Sequence, residues 1–290
     1  MSEMTLSVLV VSWNTSDLLR DCLRSVLSAV EGMRAEVIVV DNASVDGSAD
    51  MVRREFDVEP RLRLVANGSN ELFARGNNQA YALSRGEIIL VINPDVVLNR
   101  IALRGMIDHL RGDPRVGIVS CDLVGRDGAS QSLHRAFPTL PIAFSVWTRV
   151  GRLLDRLLLG LNRRRYHLET LRRGGVALVD QAAAACLLIR RSTVERIGGL
   201  FDERFPLFFN DVDLSRRVRD AGLEVHVLYD LSVTHVGGAS IRQLPRSGRE
   251  LERFESLVRY YELHEPAWKA RLVRLMVARG RRRPRTPAPP

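Results

Sequence analysis

Four short runs of valine, isoleucine and leucine, each halting on polar or acidic residues, constrain this chain more than anything else in it: LSVLVVSWN (6–14), AEVIVVDN (35–42), RLRLVAN (61–67) and EIILVINPD (87–95). Apolar runs of this length, largely without polar alternation, suit strands buried on both faces. Helix-length stretches separate them. Leu18, Leu19, Cys22, Leu23, Val26, Leu27 and Val30 keep the three-and-four spacing of one helical face, and further helices are expected around 49–56 and near 77–84. Strands alternating with helices at these intervals predict an α/β fold, with a mostly parallel, doubly wound, Rossmann-like sheet flanked by helices.

In such a sheet ligands collect beyond the carboxyl ends of the strands. Those ends carry Ser12, Trp13 and Asn14, then Asp41 and Asn42, then Asn67, then Asn93 and Asp95. Any one of these reads as a turn former or helix cap; the set, on consecutive strand ends, reads as a pocket wall. The second half supplies an opposing wall. DQAAAACLLIRRSTVERIGGL (180–200) reads as a strand, a short helix and a glycine stop. FPLFFNDVDLSRRVRDAG (205–222) then puts Asp211 and Asp213 at the start of a helix continued by Leu214 and Val218 and ended by Gly222. The helix dipole favours acids there, yet two acids following PLFF also suit a pocket edge. GLEVHVLYDLSVTHVGGAS (222–240) reads as a strand pair ending at His235, a better ligand candidate than most lone histidines because Gly237, Gly238 and Ser240 adjoin it.

With 290 residues, 46% hydrophobic, the chain can bury one large core or two modest ones. Its net charge of +9 favours phosphate-rich partners or an anionic membrane face. A nucleic-acid role is disfavoured, since zinc-finger spacing, an RNP pattern and a clear helix-turn-helix are all lacking. The first apolar run lacks the basic flank and length of a signal peptide or membrane span, so a cytoplasmic location is expected, with the inner face of the cell membrane as the alternative. Cys22, Cys121 and Cys186 show no CxxC spacing and are expected to be reduced and mostly in the core. Residues 141–165 mix apolar side chains with arginines: an amphipathic helix lying on a membrane, or equally a core or homodimer helix. Leu251, Phe254, Leu257, Val258 and Tyr261 mark an amphipathic C-terminal helical segment over 241–280, and 281–290 reads as a basic, proline-rich, disordered tail.

VVSWNTSDLLRDCLRSV, VIVVDNASVDGS, ANGSNELFARGNNQA, ILVINPDV, CLLIRRSTVERIGGLFDERFPLFFNDVDLSRRVRDAG and VTHVGGAS, in that order, resemble family 2 glycosyltransferases of the GT-A fold, of the bacterial rhamnosyltransferase-like kind. The resemblance implies a GT-A domain over 1–240, with an amphipathic insertion at about 138–170. It implies an inverting transfer of a sugar from a nucleotide-diphosphate donor to a hydroxyl of a glycan or polyprenyl-diphosphate-linked acceptor in cell-envelope polysaccharide synthesis. dTDP-L-rhamnose is the favoured donor, ahead of UDP- and GDP-sugars.

A diphosphate among Asp41, Asp95, Asp211 and Asp213 would meet like charge, about 4 kcal/mol per pair at about 4 Å and an effective dielectric near 20, so Mg2+ or Mn2+ is implied as cofactor. Asp95 corresponds to the last acid of the family's DxD motif, whose first acid is here Asn93; His235 is the second expected metal ligand. By the same resemblance Ser12, Trp13, Asn14, Asp41 and Asn42 would hold base and ribose, Asn93 a ribose hydroxyl or a water, and Arg75, Asn77 and Asn78 the nucleotide or its phosphates. Asp211 is the expected general base and Asp213 the alternative, orienting the acceptor; Asn210 replaces a glutamate common in the family. Two other classes stay open: a sugar nucleotidyltransferase, though no glycine-rich phosphate loop follows the first strand, and a non-catalytic nucleotide-sugar-binding paralogue, suggested by Asn93 and Asn210.

Overall fold

The apolar runs become strands of one nine-stranded mixed sheet in the computed structural model, which describes residues 5–168 and 174–281. The strands are β1 (Leu6–Ser12), β2 (Ala35–Asp41), β3 (Leu62–Ala66), β4 (Ile88–Ile92), β5 (Val96–Val97), β6 (Val116–Val124), β7 (Val176–Leu178), β8 (Cys186–Arg190) and β9 (Glu224–His235). Their order is β3-β2-β1-β4-β8-β6-β9-β5, with β7 also on β9. All of β1 and β4 is buried, as runs without a polar face require. Ser12 lies in register with Asp41, and Val10 with Ile92, so the polar ends of β1, β2 and β4 emerge on one side.

Parallel pairing is confined to β3-β2-β1-β4 and to β6 with β9; β8 runs antiparallel to β4 and β6, and β5 and β7 antiparallel to β9. An apolar run such as CLLI reads identically in either direction, so its orientation is not written in its pattern. The segment read as a strand pair at 224–235 is a single strand, irregular between Leu228 and Ser232, where it faces Cys121 and Asp122. Such an irregularity bends a strand and re-aims the residues beyond it, here Thr234 and His235, which pair with β5.

Helices are α1 (Ser16–Ala29), α2 (Ser48–Glu55), α3 (Leu72–Leu83), α4 (Arg100–Gly112), α5 (Leu140–Trp147), α6 (Arg149–Leu157), α7 (Leu161–Tyr166), α8 (Arg191–Arg196), α9 (Asn210–Asp220), α10 (Ala239–Gln243), α11 (Arg246–His264) and α12 (Ala267–Arg281). On one sheet face Leu19, Leu23 and Val26 of α1 join Leu103 and Met106 of α4 over Val8, Val37 and Leu90. On the other, Ala74 and Ala80 of α3 and Leu214 and Val218 of α9 pack over Leu9, Ile38 and Ile89. Burial of each large side chain contributes roughly 1.5–3 kcal/mol. Helix α3 lies so close to the end of β1 that a Cβ at Gly76 would stand 2.9 Å from Val11 Cγ1. It begins at Leu72, earlier than its sequence suggests, because the N–H groups of Phe73 and Ala74 both donate to Pro206 O, a partner remote in sequence.

A third cluster joins Ala143 of α5 to Leu257, Tyr260 and Tyr261 of α11, Val273 of α12 and, from the segment at the start of α9, Phe205, Phe209 and Val212. The three cysteines are buried and free. No helix among the described residues is long and apolar enough to cross a membrane. The tail expected over 281–290 lies outside the described residues after Arg281, as do residues 169–173 of the arginine-bearing stretch.

Candidate active site

A cleft of about 700 Å3 opens at the strand ends and brings together Ser12, Trp13, Asn42, Asn93, Asp95, Asp211 and His235, which the sequence disperses over 224 positions. Its opposite wall includes Trp147 and Tyr166 from the α5–α7 region, Phe208 from the segment before α9, and Arg249 and Arg253 from α11.

Asp95 is set by a tight turn after β4, in which the Val96 N–H donates to Asn93 O at 3.2 Å, and by the Val236 N–H, which donates to Asp95 O at 2.9 Å. Its Oδ1 stands 3.5 Å from Nε2 of His235, both side chains being almost wholly buried. His235 is fixed from behind. Its Nδ1 lies 2.7 Å from Oε1 of Gln131, while Nε2 of Gln131 donates to the His235 carbonyl at 2.8 Å. An amide oxygen only accepts, so Nδ1 carries a proton and Nε2 is left facing Asp95. That buried Nε2 has no hydrogen-bond partner. A metal-ligating imidazole is typically held this way, its second nitrogen tied to a carbonyl or carboxylate. Carboxylate oxygen beside imidazole nitrogen fits Mg2+ or Mn2+. Among the described residues no group of three or more His, Cys, Asp and Glu could hold a metal, so a cation at this pair would complete its coordination with substrate and water, as Mg2+ commonly does.

At the ends of β1 and β2, Ser12 Oγ shares a 2.9 Å hydrogen bond with Thr15 Oγ1. Asn42 is clamped, donating to Leu72 O and accepting from Asn67. Asp41 is buried just behind the cleft wall, as the register partner of Ser12 and the neighbour of Asn42. Its Oδ2 accepts from the Ser44 N–H at 3.0 Å, and its buried Oδ1 has no partner.

Several expected residues are not among those that line the cleft. Asn14, left-handed at φ 51°, accepts from the Val45 N–H through Oδ1 and from Gln243 through its carbonyl, knitting loops together. Arg75 points to solvent and pairs with Glu71 at 2.9 Å, one turn back on the helix. Asn77 is buried and donates to Phe73 O within α3. Asn78 uses both ends of its amide on the segment before α9, donating to Phe201 O and accepting from the Phe201 N–H. The early start of α3 turns all three away.

The two acids of α9 part company. Asp211 faces the cleft, held by Gln181 Nε2 at 3.3 Å and by the Val212 N–H at 2.9 Å. Burial raises its carboxyl above the usual 3.8, despite opposition from the Arg135 charge and the surrounding hydrogen bonds. The bend that aims it is at Phe209, whose φ of 65° is left-handed. Asp213 turns inward instead: only 1% exposed, it takes Arg217 Nε at 2.8 Å on Oδ2 and His264 Nε2 at 2.8 Å on Oδ1. It is an internal ion-pair centre joining α9 to α11, and it is not among the residues that line the cleft.

The residues that the sequence did not offer are Gln131, Gln181, Arg135, Arg249 and Arg253. Gln131 and Arg135 sit in a loop without periodicity. Arg249 and Arg253, four apart on α11, look like an ordinary solvated helix face.

Three comparisons bear on this architecture. The chain is similar to the N-acetylglucosaminyl-diphospho-decaprenol L-rhamnosyltransferase of Mycobacterium tuberculosis, 27% identical over 92% of this chain and 87% of that protein. It is 26% identical to the rhamnosyltransferase WbbL of Escherichia coli over 56% of this chain and 60% of WbbL. In structure it resembles the mannosyltransferase PcManGT of Pyrobaculum calidifontis, solved with GDP-Man and Mn2+, at a TM-score of 0.60 and 20% identity, over 96% of this chain and 70% of that one. Residues 7–196 match glycosyl transferase family 2, a stretch that takes in β1 to β8 and the Asn93-Pro94-Asp95 turn, and to that family the chain belongs.

Proposed function

We propose that this glycosyltransferase transfers a sugar with inversion from a nucleotide-diphosphate donor, dTDP-L-rhamnose before UDP- or GDP-sugars, to a hydroxyl of a lipid-linked or glycan acceptor in cell-envelope polysaccharide synthesis. One observation carries the reading: a single cleft holds an Asp95–His235 pair suited to a cation and, apart from it, a carboxylate of raised pKa at Asp211. The relatives that act on rhamnose and on a diphospho-decaprenol sugar support the donor and acceptor classes.

Ser12, Trp13 and Asn42 would seat the nucleoside, with the buried Asp41 behind them. Asp95 and His235 would hold the cation that offsets negative charge on the departing diphosphate. Asp211 accepts the proton of the acceptor hydroxyl as its oxygen bonds to the anomeric carbon and the sugar–phosphate bond breaks on the opposite face. Gln181 keeps that carboxylate aimed. The exposed Val150, Leu153, Leu154, Leu157, Leu158 and Leu161, interspersed with arginines, would lie against an anionic bilayer and bring the enzyme to a lipid acceptor.

Incubating the purified protein with dTDP-, UDP- and GDP-sugars and a short-chain prenyl-diphospho-sugar, with Mn2+ or with chelator, should yield a glycoside from one donor and none after chelation. A nucleotide sugar as product would make it a nucleotidyltransferase, and turnover untouched by chelator would remove the cation role from Asp95. Gln131→Leu should raise the Mn2+ concentration for half-maximal rate by roughly 10- to 100-fold while largely sparing the rate at saturating metal, because it frees the His235 ring without removing a ligand.

A further inference from the structure

Three guanidinium groups converge on the cleft wall. Arg135, Arg249 and Arg253 all line it, and among the described residues none forms an ion pair with a carboxylate. Arg135 lies over the Tyr166 ring at 5.2 Å with Nη1 3.3 Å from the Tyr166 hydroxyl, and Arg253 lies over the Phe208 ring at 4.6 Å. Stacking engages the faces of these groups and leaves in-plane N–H donors for a ligand. The Nε atoms of Arg135 and Arg249 are buried and without partners. The positive charges of Arg135 and Arg249, after burial itself, hold the Arg253 guanidinium below its usual pKa, so the three are close enough to repel. Such an arrangement, offset only in part by Glu250 and Asp211, favours the entry of a further anion.

The position narrows the anion. Arg135 is felt electrostatically by Asp211, the proposed base, and at its other end touches Tyr166, which closes the arginine-rich α5–α7 segment with its exposed leucines. His235, in turn, is held by Asp95 and Gln131. We infer that Arg135, Arg249 and Arg253 form a second anion site that grips the diphosphate of a lipid-linked acceptor, leaving the donor's diphosphate to Asp95 and His235; this rests on the transfer reaction proposed above. The sugar next to the gripped diphosphate would present its hydroxyl to Asp211, and the lipid would leave across the apolar face of α6. Arginine suits the task because its fork matches phosphate oxygens bidentately.

Calorimetric titration of the full chain with farnesyl diphosphate, farnesol, and dTDP, UDP or GDP in the presence of Mn2+ tests this. The wild type should bind farnesyl diphosphate much more tightly than farnesol. Arg249→Ala with Arg253→Ala should weaken farnesyl diphosphate on the order of 100-fold, as expected for losing charge-assisted hydrogen bonds, with farnesol and the preferred nucleotide within about twofold. Arg253→Ala alone, at an exposed position, gives the same comparison should the double variant fold poorly. Unchanged farnesyl diphosphate binding, or a parallel loss of nucleotide, would overturn the inference, the second by assigning the arginines to the donor. Arginine-dependent farnesyl diphosphate binding in a protein that transfers no sugar would sink the proposed reaction and leave the anion site standing. Sugar transfer without preference for farnesyl diphosphate over farnesol would do the reverse.

Discussion

Asp211→Asn is expected to slow sugar transfer by roughly 10³-fold, within the range for loss of a general base, with nucleotide affinity within about twofold. The asparagine keeps the shape and the Gln181 contact but cannot take a proton. The dependence on pH has a definite sign. Burial raises the Asp211 carboxyl, so the active carboxylate is lost, as pH falls, earlier than an ordinary aspartate would lose it. The acid limb of the wild-type rate should lie higher than an ordinary aspartate would place it and be missing from the residual rate of the variant. Stability moves the other way. The folded state binds this proton more tightly than the unfolded chain, so the ionised group opposes folding at neutral pH and the variant should melt no lower than the wild type.

Asp213→Asn, two residues on, should behave oppositely. It strands Arg217 and His264 around a buried position that is 1% exposed, and breaking a buried ion pair from one side costs about 3–5 kcal/mol. Thermal melting should fall by roughly 6–15 °C, while the rate measured well below the transition stays within about threefold of the wild type. A normal melting temperature with lost turnover would return Asp213 to the cleft chemistry.

These neighbouring acids show how far the sequence could be read. The strand ends, the Asn-Pro-Asp turn and the strand end at His235 can be located in the sequence because an apolar run halting on polar residues is a local pattern. So can the pairing of carboxylates with a helix start. What Asp213 does depends on His264, 51 positions away, and no local pattern announces it. The same holds for the retreat of Arg75, Asn77 and Asn78, which results from the helix being tethered at Phe73 and Ala74 by the Pro206 carbonyl. Gln131 supports His235 across 104 positions. The antiparallel half of the sheet escapes for a different reason: hydrophobic patterning encodes burial and period, and carries no arrow.

The left-handed bend at Phe209 has a mechanical consequence. For a bulky residue such a conformation stores on the order of 1–3 kcal/mol, and the ring is braced between Trp147, 6.2 Å away, and Tyr260 at 6.0 Å. Glycine there would relax the backbone and surrender both braces. The turn that carries Asp211 is thus hinged, through one ring, on both α5 and α11.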